Sequence, residues 1–227
     1  MGMQVIPKRF IRIWLGPKDI PETFNRWWCE FQDMHPSYDF ITIGDDHGLT
    51  VPESIAGIYK DVASYAGRAD ILRILALHEY GGVYVDTDVM PLKPFDDIIA
   101  DGRPFAGKRS SKSFEVAVLG SPKGHPILQK TIDALPAWYE KNGSRSCSVA
   151  TGPAFLSSVW FGSEDVNHLP TSAFYPFNGF KAPSREQKTE MFSDKSNFPD
   201  DMVCAHFSNH RWGGKPKTPT NDGVRYV

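Results

Sequence analysis

The stretch from Asp61 to Asp88 constrains this chain more than any other. Ala66, Ala69, Ile71, Leu72, Ile74, Leu75 and Leu77 recur at helical spacing, which predicts a helix from about Asp61 to Tyr80. Gly81-Gly82 ends it. Val83-Tyr84-Val85 then reads as a very short buried strand, with Asp86-Thr87-Asp88 at its end. A helix that feeds a buried strand finishing in two carboxylates outlines an open α/β sheet, where ligands sit beyond the carboxyl ends of the strands.

The flanking sequence extends that outline. Phe10 to Leu15 is rich in strand formers and stops at Gly16-Pro17. Pro21 to Met34 carries Phe24, Trp27, Trp28 and Phe31 at spacings of three and four, as an amphipathic helix does. Tyr38 to Ile43 is a second strand, closed by Gly44-Asp45-Asp46. Strand, helix and strand in succession form a βαβ unit with parallel strands. Phe105 and Phe114 to Leu119 read as further strands, the latter antiparallel or at an edge. His125 to Tyr139 is expected to be helical, its end distorted by Pro136. Asn142 to Ala150 reads as a polar loop, and Thr151 as the N-cap of a helix reaching about Trp160. From Gly162 onward the pattern is short strands and loops. The expected fold is one α/β domain over residues 1–212, with a mixed central sheet flanked by helices. Residues 213–227, with Lys215 and Lys217, are expected to form a mobile tail.

The chain has 227 residues and a formal net charge of −2, a balance that argues against nucleic acid as a partner. Cys29, Cys147 and Cys204 are too scattered for a disulfide framework or a zinc knuckle, and they suit a reducing compartment. No run approaches the length of a membrane span, and the first ten residues do not read as a signal peptide. A cytoplasmic location is the expectation.

Asp86 and Asp88 are the most informative pair. On an extended backbone, residues two apart point to the same side, and two converging carboxylates call for a cation or protons. Hard oxygen ligands suit Mg²⁺ or Mn²⁺, and Mg²⁺ commonly completes its shell with water and substrate phosphates. Two enzyme classes use such a pair. Nucleotide-sugar glycosyltransferases grip a diphosphate leaving group through the metal. Haloacid-dehalogenase-like phosphatases attack with the first aspartate, here Asp86, but their motif ends the first strand of the core. In this chain a whole βαβ unit precedes it. An acidic pair should also follow late in such a phosphatase, and the surroundings of Asp200-Asp201 do not read as a strand and loop. Upstream, Asp70 and Arg73 share one helical face that leads to the acidic pair. A non-catalytic nucleotide-sugar-binding module is the third reading.

Three blocks resemble the DXD-containing sugar-binding region of a glycosyltransferase family. That family includes yeast-type initiating mannosyltransferases, bacterial capsular sugar transferases and, more distantly, clostridial glucosylating toxins. The blocks are Ile6-Pro7-Lys8 through Gly16, Ala69-Asp70-Ile71-Leu72-Arg73 leading to Asp88, and more weakly Thr151-Gly152-Pro153 with His206 to Trp212. The resemblance implies a GT-A, Rossmann-like fold, with residues 1–100 as the nucleotide-sugar-binding half and 101–212 as the acceptor side. It implies a nucleotide-sugar donor, Mn²⁺ or Mg²⁺, and hexosyl transfer with retention. The acceptor would be a saccharide, a lipid-linked sugar or a protein, with peripheral membrane contact in the lipid-linked case. Carried over by position, Trp14 would stack on the nucleotide base, which favours UDP over GDP. Asp70 and Arg73 would bind donor-sugar hydroxyls, with Arg73 also near phosphate, and Tyr84 joins the donor-binding set. Asp86 would contact ribose or sugar and share the metal with Asp88 and His206. Trp212 would close over the diphosphate. One departure is Arg211, which stands where the family usually has Ser, leaving Asn209 or His210 as substitutes.

Overall fold

The computed structural model describes residues 5–177 and 183–208, and the backbone of residues 225 and 226. β1 (Arg9–Ile13), α1 (Glu22–Met34) and β2 (Asp39–Ile43) form the expected βαβ unit, its strands parallel from Arg9↔Asp39 to Ile13↔Ile43. β3 (Thr50–Val51) follows. The helix expected from about Asp61 to Tyr80 begins later, as α3 (Tyr65–Tyr80), and a separate helix that the sequence did not signal, α2 (Glu53–Asp61), precedes it. Ser64 makes the break. Its backbone is extended, and its hydroxyl accepts from the Gly67 N–H as an N-cap.

α3 delivers β4 (Gly82–Val85) to the centre of the sheet. β5 (Val89–Pro91), α4 (Asp96–Ile99) and the hairpin of β6 (Phe105–Ser110) and β7 (Ser113–Ser121) come next. The remaining elements are α5 (Pro126–Asn142), α6 (Cys147–Ala150), α7 (Pro153–Trp160), β8 (Asn167–Leu169), α8 (Arg185–Met191), β9 (Cys204–His206) and β10 (Arg225–Tyr226). The main sheet runs β2-β1-β4-β7-β6-β8. β1 is parallel to β2 and β4, β7 is antiparallel to β4 and β6, and β8 is parallel to β6. β7 is therefore interior rather than an edge.

Alternating strand residues feed two cores. Ile11, Ile13 and Tyr84 face α2, α3, α5 and α7. Phe10, Val83 and Val85 face α1 and α4. This gives a three-layer α/β/α arrangement. A third cluster joins Phe24 and Trp27 of α1 to Met90, Phe192, Ala205 and Phe207. That cluster fixes β5 and β9, which pair antiparallel beside the main sheet, with Val89 opposite His206.

Several local expectations are corrected. α5 runs through Pro136 to Asn142, beyond the expected end at Tyr139. A four-residue helix, α6, stands inside the expected polar loop, and α8 lies in the region expected to hold only strands and loops. Gly152 rather than Thr151 caps α7, because the Thr151 hydroxyl is engaged elsewhere. Within the expected tail, residues 225–226 pair in parallel with β3, and residues 213–224 lie outside the described residues.

Candidate active site

α3 is buried from Ala69 to Leu77, so the two charged residues on it are buried as well. The Asp70–Arg73 pair is thus not a surface ion pair. Arg73 Nη2 lies 2.9 Å from Asp70 Oδ1 and Nη1 lies 3.2 Å from Asp86 Oδ1. The same guanidinium donates to the Val116 carbonyl and stands 4.6 Å over the Tyr84 ring. Tyr84 donates to Asp86 Oδ1 at 2.6 Å. Thr151 donates to Asp70 Oδ2 at 3.1 Å, and a Cβ on Gly152 would stand 2.9 Å from that oxygen. Burial raises the Asp70 carboxyl toward about 7, against the opposing pull of Arg73.

Asp86 and Asp88 do converge, but not by strand alternation. β4 ends at Val85, and a turn follows in which the Val89 N–H donates to the Asp86 carbonyl at 3.1 Å. Thr87 anchors that turn through its hydroxyl, 3.0 Å from the Ile13 carbonyl. The Phe207 N–H donates to the Asp88 carbonyl at 2.9 Å, which draws the end of β9 against the turn. His206 Nε2 then lies 3.3 Å from Asp88 Oδ1 and 3.8 Å from Asp86 Oδ2. One ligand atom from each of the three residues lies within 4.8 Å of the others. Two carboxylates and an imidazole fit a hard-to-borderline divalent cation such as Mn²⁺. Burial works against the His206 imidazolium, but Asp88 and Asp86 outweigh it and raise its pKa.

These groups open on one cavity of about 840 Å³. Asp70, Arg73, Tyr84, Asp86, Asp88 and His206 all line it. Trp14 does not. Its indole N–H donates to the Lys18 carbonyl, and only its neighbour Ile13 reaches the wall. Trp212, Asn209, His210, Arg211, Lys215 and Lys217 lie outside the described residues. Asp200 and Asp201 are not on the wall.

The cavity also has charged residues that the sequence reading did not single out. Glu115 of β7 faces it, ion-paired with Arg109 at 3.2 Å, and burial raises its carboxyl. Lys188 of α8 is buried, and its ammonium donates to the Ser208 carbonyl at 3.1 Å. A carboxylate inside the apolar run Phe114 to Leu119 was a usable signal for Glu115. Lys188 sits in the polar run Arg185 to Met191, which reads like any solvated helix.

Comparison with known proteins fits this geometry. The chain is 32% identical over 222 residues to inositol phosphoceramide mannosyltransferase 3 of Schizosaccharomyces pombe. The alignment covers 91% of this chain and 60% of that protein's length. Among solved structures it resembles the PaToxG glycosyltransferase, with a TM-score of 0.58 and 21% identity over 70% of each chain. It also resembles the UDP-bound glycosyltransferase domain of the YGT toxin, with a TM-score of 0.51 and 11% identity over 73% of this chain and 80% of that domain. The fold is that of the GT-A glycosyltransferases. Residues 21–104 match the family described as glycosyltransferase sugar-binding region containing DXD motif, and Asp86-Thr87-Asp88 stands within that match.

Proposed function

We propose that this chain is a metal-dependent, retaining hexosyltransferase. It takes the sugar from a nucleoside-diphosphate donor and passes it to a saccharide, lipid-linked or protein acceptor. One observation carries the reading: Asp86, Asp88 and His206 gather on the wall of the same cavity as the Asp70–Arg73 pair. Asp86, Asp88 and His206 would hold the cation, which supplies Lewis-acid stabilisation to a departing diphosphate.

The chain's own residues do the rest. Asp70, held by Arg73 and Thr151, presents a fixed carboxyl to sugar hydroxyls. Arg73 keeps Asp86 in place and adds positive charge beside the leaving group. As bond cleavage proceeds the sugar becomes oxocarbenium-like, as in glycoside hydrolysis. With no assigned enzymic nucleophile, front-face substitution follows, with the acceptor hydroxyl entering on the leaving-group side.

Mannose is the first sugar to test, because the yeast relative is named a mannosyltransferase. Base stacking on Trp14, next to the wall residue Ile13, favours UDP, while the mannosyltransferase relatives favour GDP-mannose. Both UDP- and GDP-sugars therefore belong in the assay. Among the described residues no helix is long and apolar enough to cross a membrane. Cys29, Cys147 and Cys204 are unpaired, which accords with a cytoplasmic setting.

The test is nucleoside-diphosphate release from a panel of UDP- and GDP-hexoses with Mn²⁺, with the product's anomeric configuration read by NMR. We expect Mn²⁺-dependent release from one donor and a retained configuration. An inverted product would overturn retention, and no release from any donor would overturn the transferase reading.

A further inference from the structure

Ser208 is the only non-glycine among the described residues with a positive φ, at 54°. An L residue in that region is strained, and such strain collects where function demands a particular placement. Two contacts hold Ser208 there. The buried Lys188 ammonium donates to its carbonyl at 3.1 Å, and its hydroxyl lies 3.1 Å from His206 Nδ1. The other ring nitrogen of His206, Nε2, is the one that faces Asp88 and Asp86.

An imidazole that binds a cation through Nε2 must keep its proton on Nδ1, and the group that receives this proton fixes the ring's tautomer and direction. Ser208 Oγ is placed to receive it. We propose that Ser208 is the positioning residue of the cation site. Its hydroxyl oxygen accepts the Nδ1 proton of His206 and aims the Nε2 lone pair at an ion shared with Asp86 and Asp88. The left-handed backbone at 208 is what brings the hydroxyl under the ring, and Lys188 holds that backbone. The inference rests on the metal-dependent reading above and adds a residue outside the ligand set.

Ser208→Gly separates the two roles. Glycine adopts this φ without strain, so only the hydroxyl is lost. We expect the metal-free variant to melt at or above the wild-type temperature, while Mn²⁺ affinity by titration calorimetry falls about 10–100-fold. In the Mg²⁺-loaded protein, ¹⁵N shifts of His206 should report a single Nδ1–H tautomer in wild type and a mixture in the variant. Ser208→Ala keeps the strain and loses the hydroxyl, so it should melt below Ser208→Gly and bind Mn²⁺ as weakly. Wild-type Mn²⁺ affinity in Ser208→Gly would overturn the proposal and leave the metal-dependent reading standing. Failure of the wild-type chain to bind Mn²⁺ would overturn both.

Discussion

Arg73 holds the charges of the site together. One buried guanidinium touches Asp70, Asp86 and the Val116 carbonyl, so its planar fork serves partners from α3, the β4 turn and β7. Asp70 is the costly partner, because burial holds its pKa near 7. In the folded protein it keeps a proton that the unfolded chain releases near pH 4. Its contribution to stability is therefore full below about pH 4 and is lost as pH rises to about 7. In Asp70→Asn that loss disappears, while Arg73 keeps Asp86 at 3.2 Å. Chemical denaturation across this range should show the variant gaining on wild type by on the order of 1–3 kcal/mol as pH rises. A constant difference would contradict the shift. Asp88 is the sharper functional test. Asp88→Ala should lower Mn²⁺-dependent turnover by about 10³-fold or more, with the circular dichroism spectrum unchanged, since Lewis-acid stabilisation is worth several kcal/mol. At this scale Asp70, Arg73, Asp86, Asp88 and His206 were legible, because polar residue types in a recognisable order carry the signal. Ser208 and Lys188 were not. Their roles come from backbone conformation and long-range burial, which no local pattern encodes.

At the scale of elements, the diglycine decides where the acidic turn emerges. Gly81 ends α3 with φ 64°, and Gly82 enters β4 with φ 109°. A Cβ on Gly82 would stand 2.7 Å from the Arg9 carbonyl oxygen, and on Gly81 2.6 Å from the Lys123 backbone nitrogen. Both neighbours are backbone and cannot swing aside. Gly82→Ala should cost about 1–3 kcal/mol, read as a lower denaturation midpoint, and loosen the β1–β4 pairing. A midpoint equal to wild type would remove the diglycine from this role. The same scale shows why some elements escaped the sequence. α1 was readable because its aromatic stripe is a clean 3.6-residue pattern. α8 has no such stripe, and α6 is a single turn. α5 runs past Pro136 because a helix tolerates one missing N–H when packing holds the rest, here Ile132 and Leu135 against the core.

At the scale of the whole molecule, the sheet changes character at β4. Its partner on one side, β1, is parallel, and its partner on the other, β7, is antiparallel. The acidic turn leaves this seam, so the cavity takes walls from both halves of the chain. A cation and donor bound there should stabilise the folded state as a unit. At a hundredfold excess over Kd the gain is about 2.7 kcal/mol, or roughly 5–10 °C in Tm for a domain of this size. The expected result is a rise with the correct nucleotide sugar only when Mn²⁺ is present. An equal rise in the presence of EDTA would separate donor binding from the cation. The βαβ opening and the mixed sheet could be read from the order of strands and helices. The placement of β9 could not, because its short apolar run finds its partner more than a hundred residues earlier.

That distant pairing has a mechanical consequence. β5 and β9 share a short ladder with Val89 opposite His206, so the proposed ligands stand on both sides of one strand pair. An ion held by Asp86, Asp88 and His206 would add a removable staple to a very long loop that the β5–β9 ladder and the apolar cluster around Phe207 already close. Chelation should then release the staple before it releases the fold. Amide exchange at residues 204–207 should accelerate while the amides of β1 and β4 stay protected.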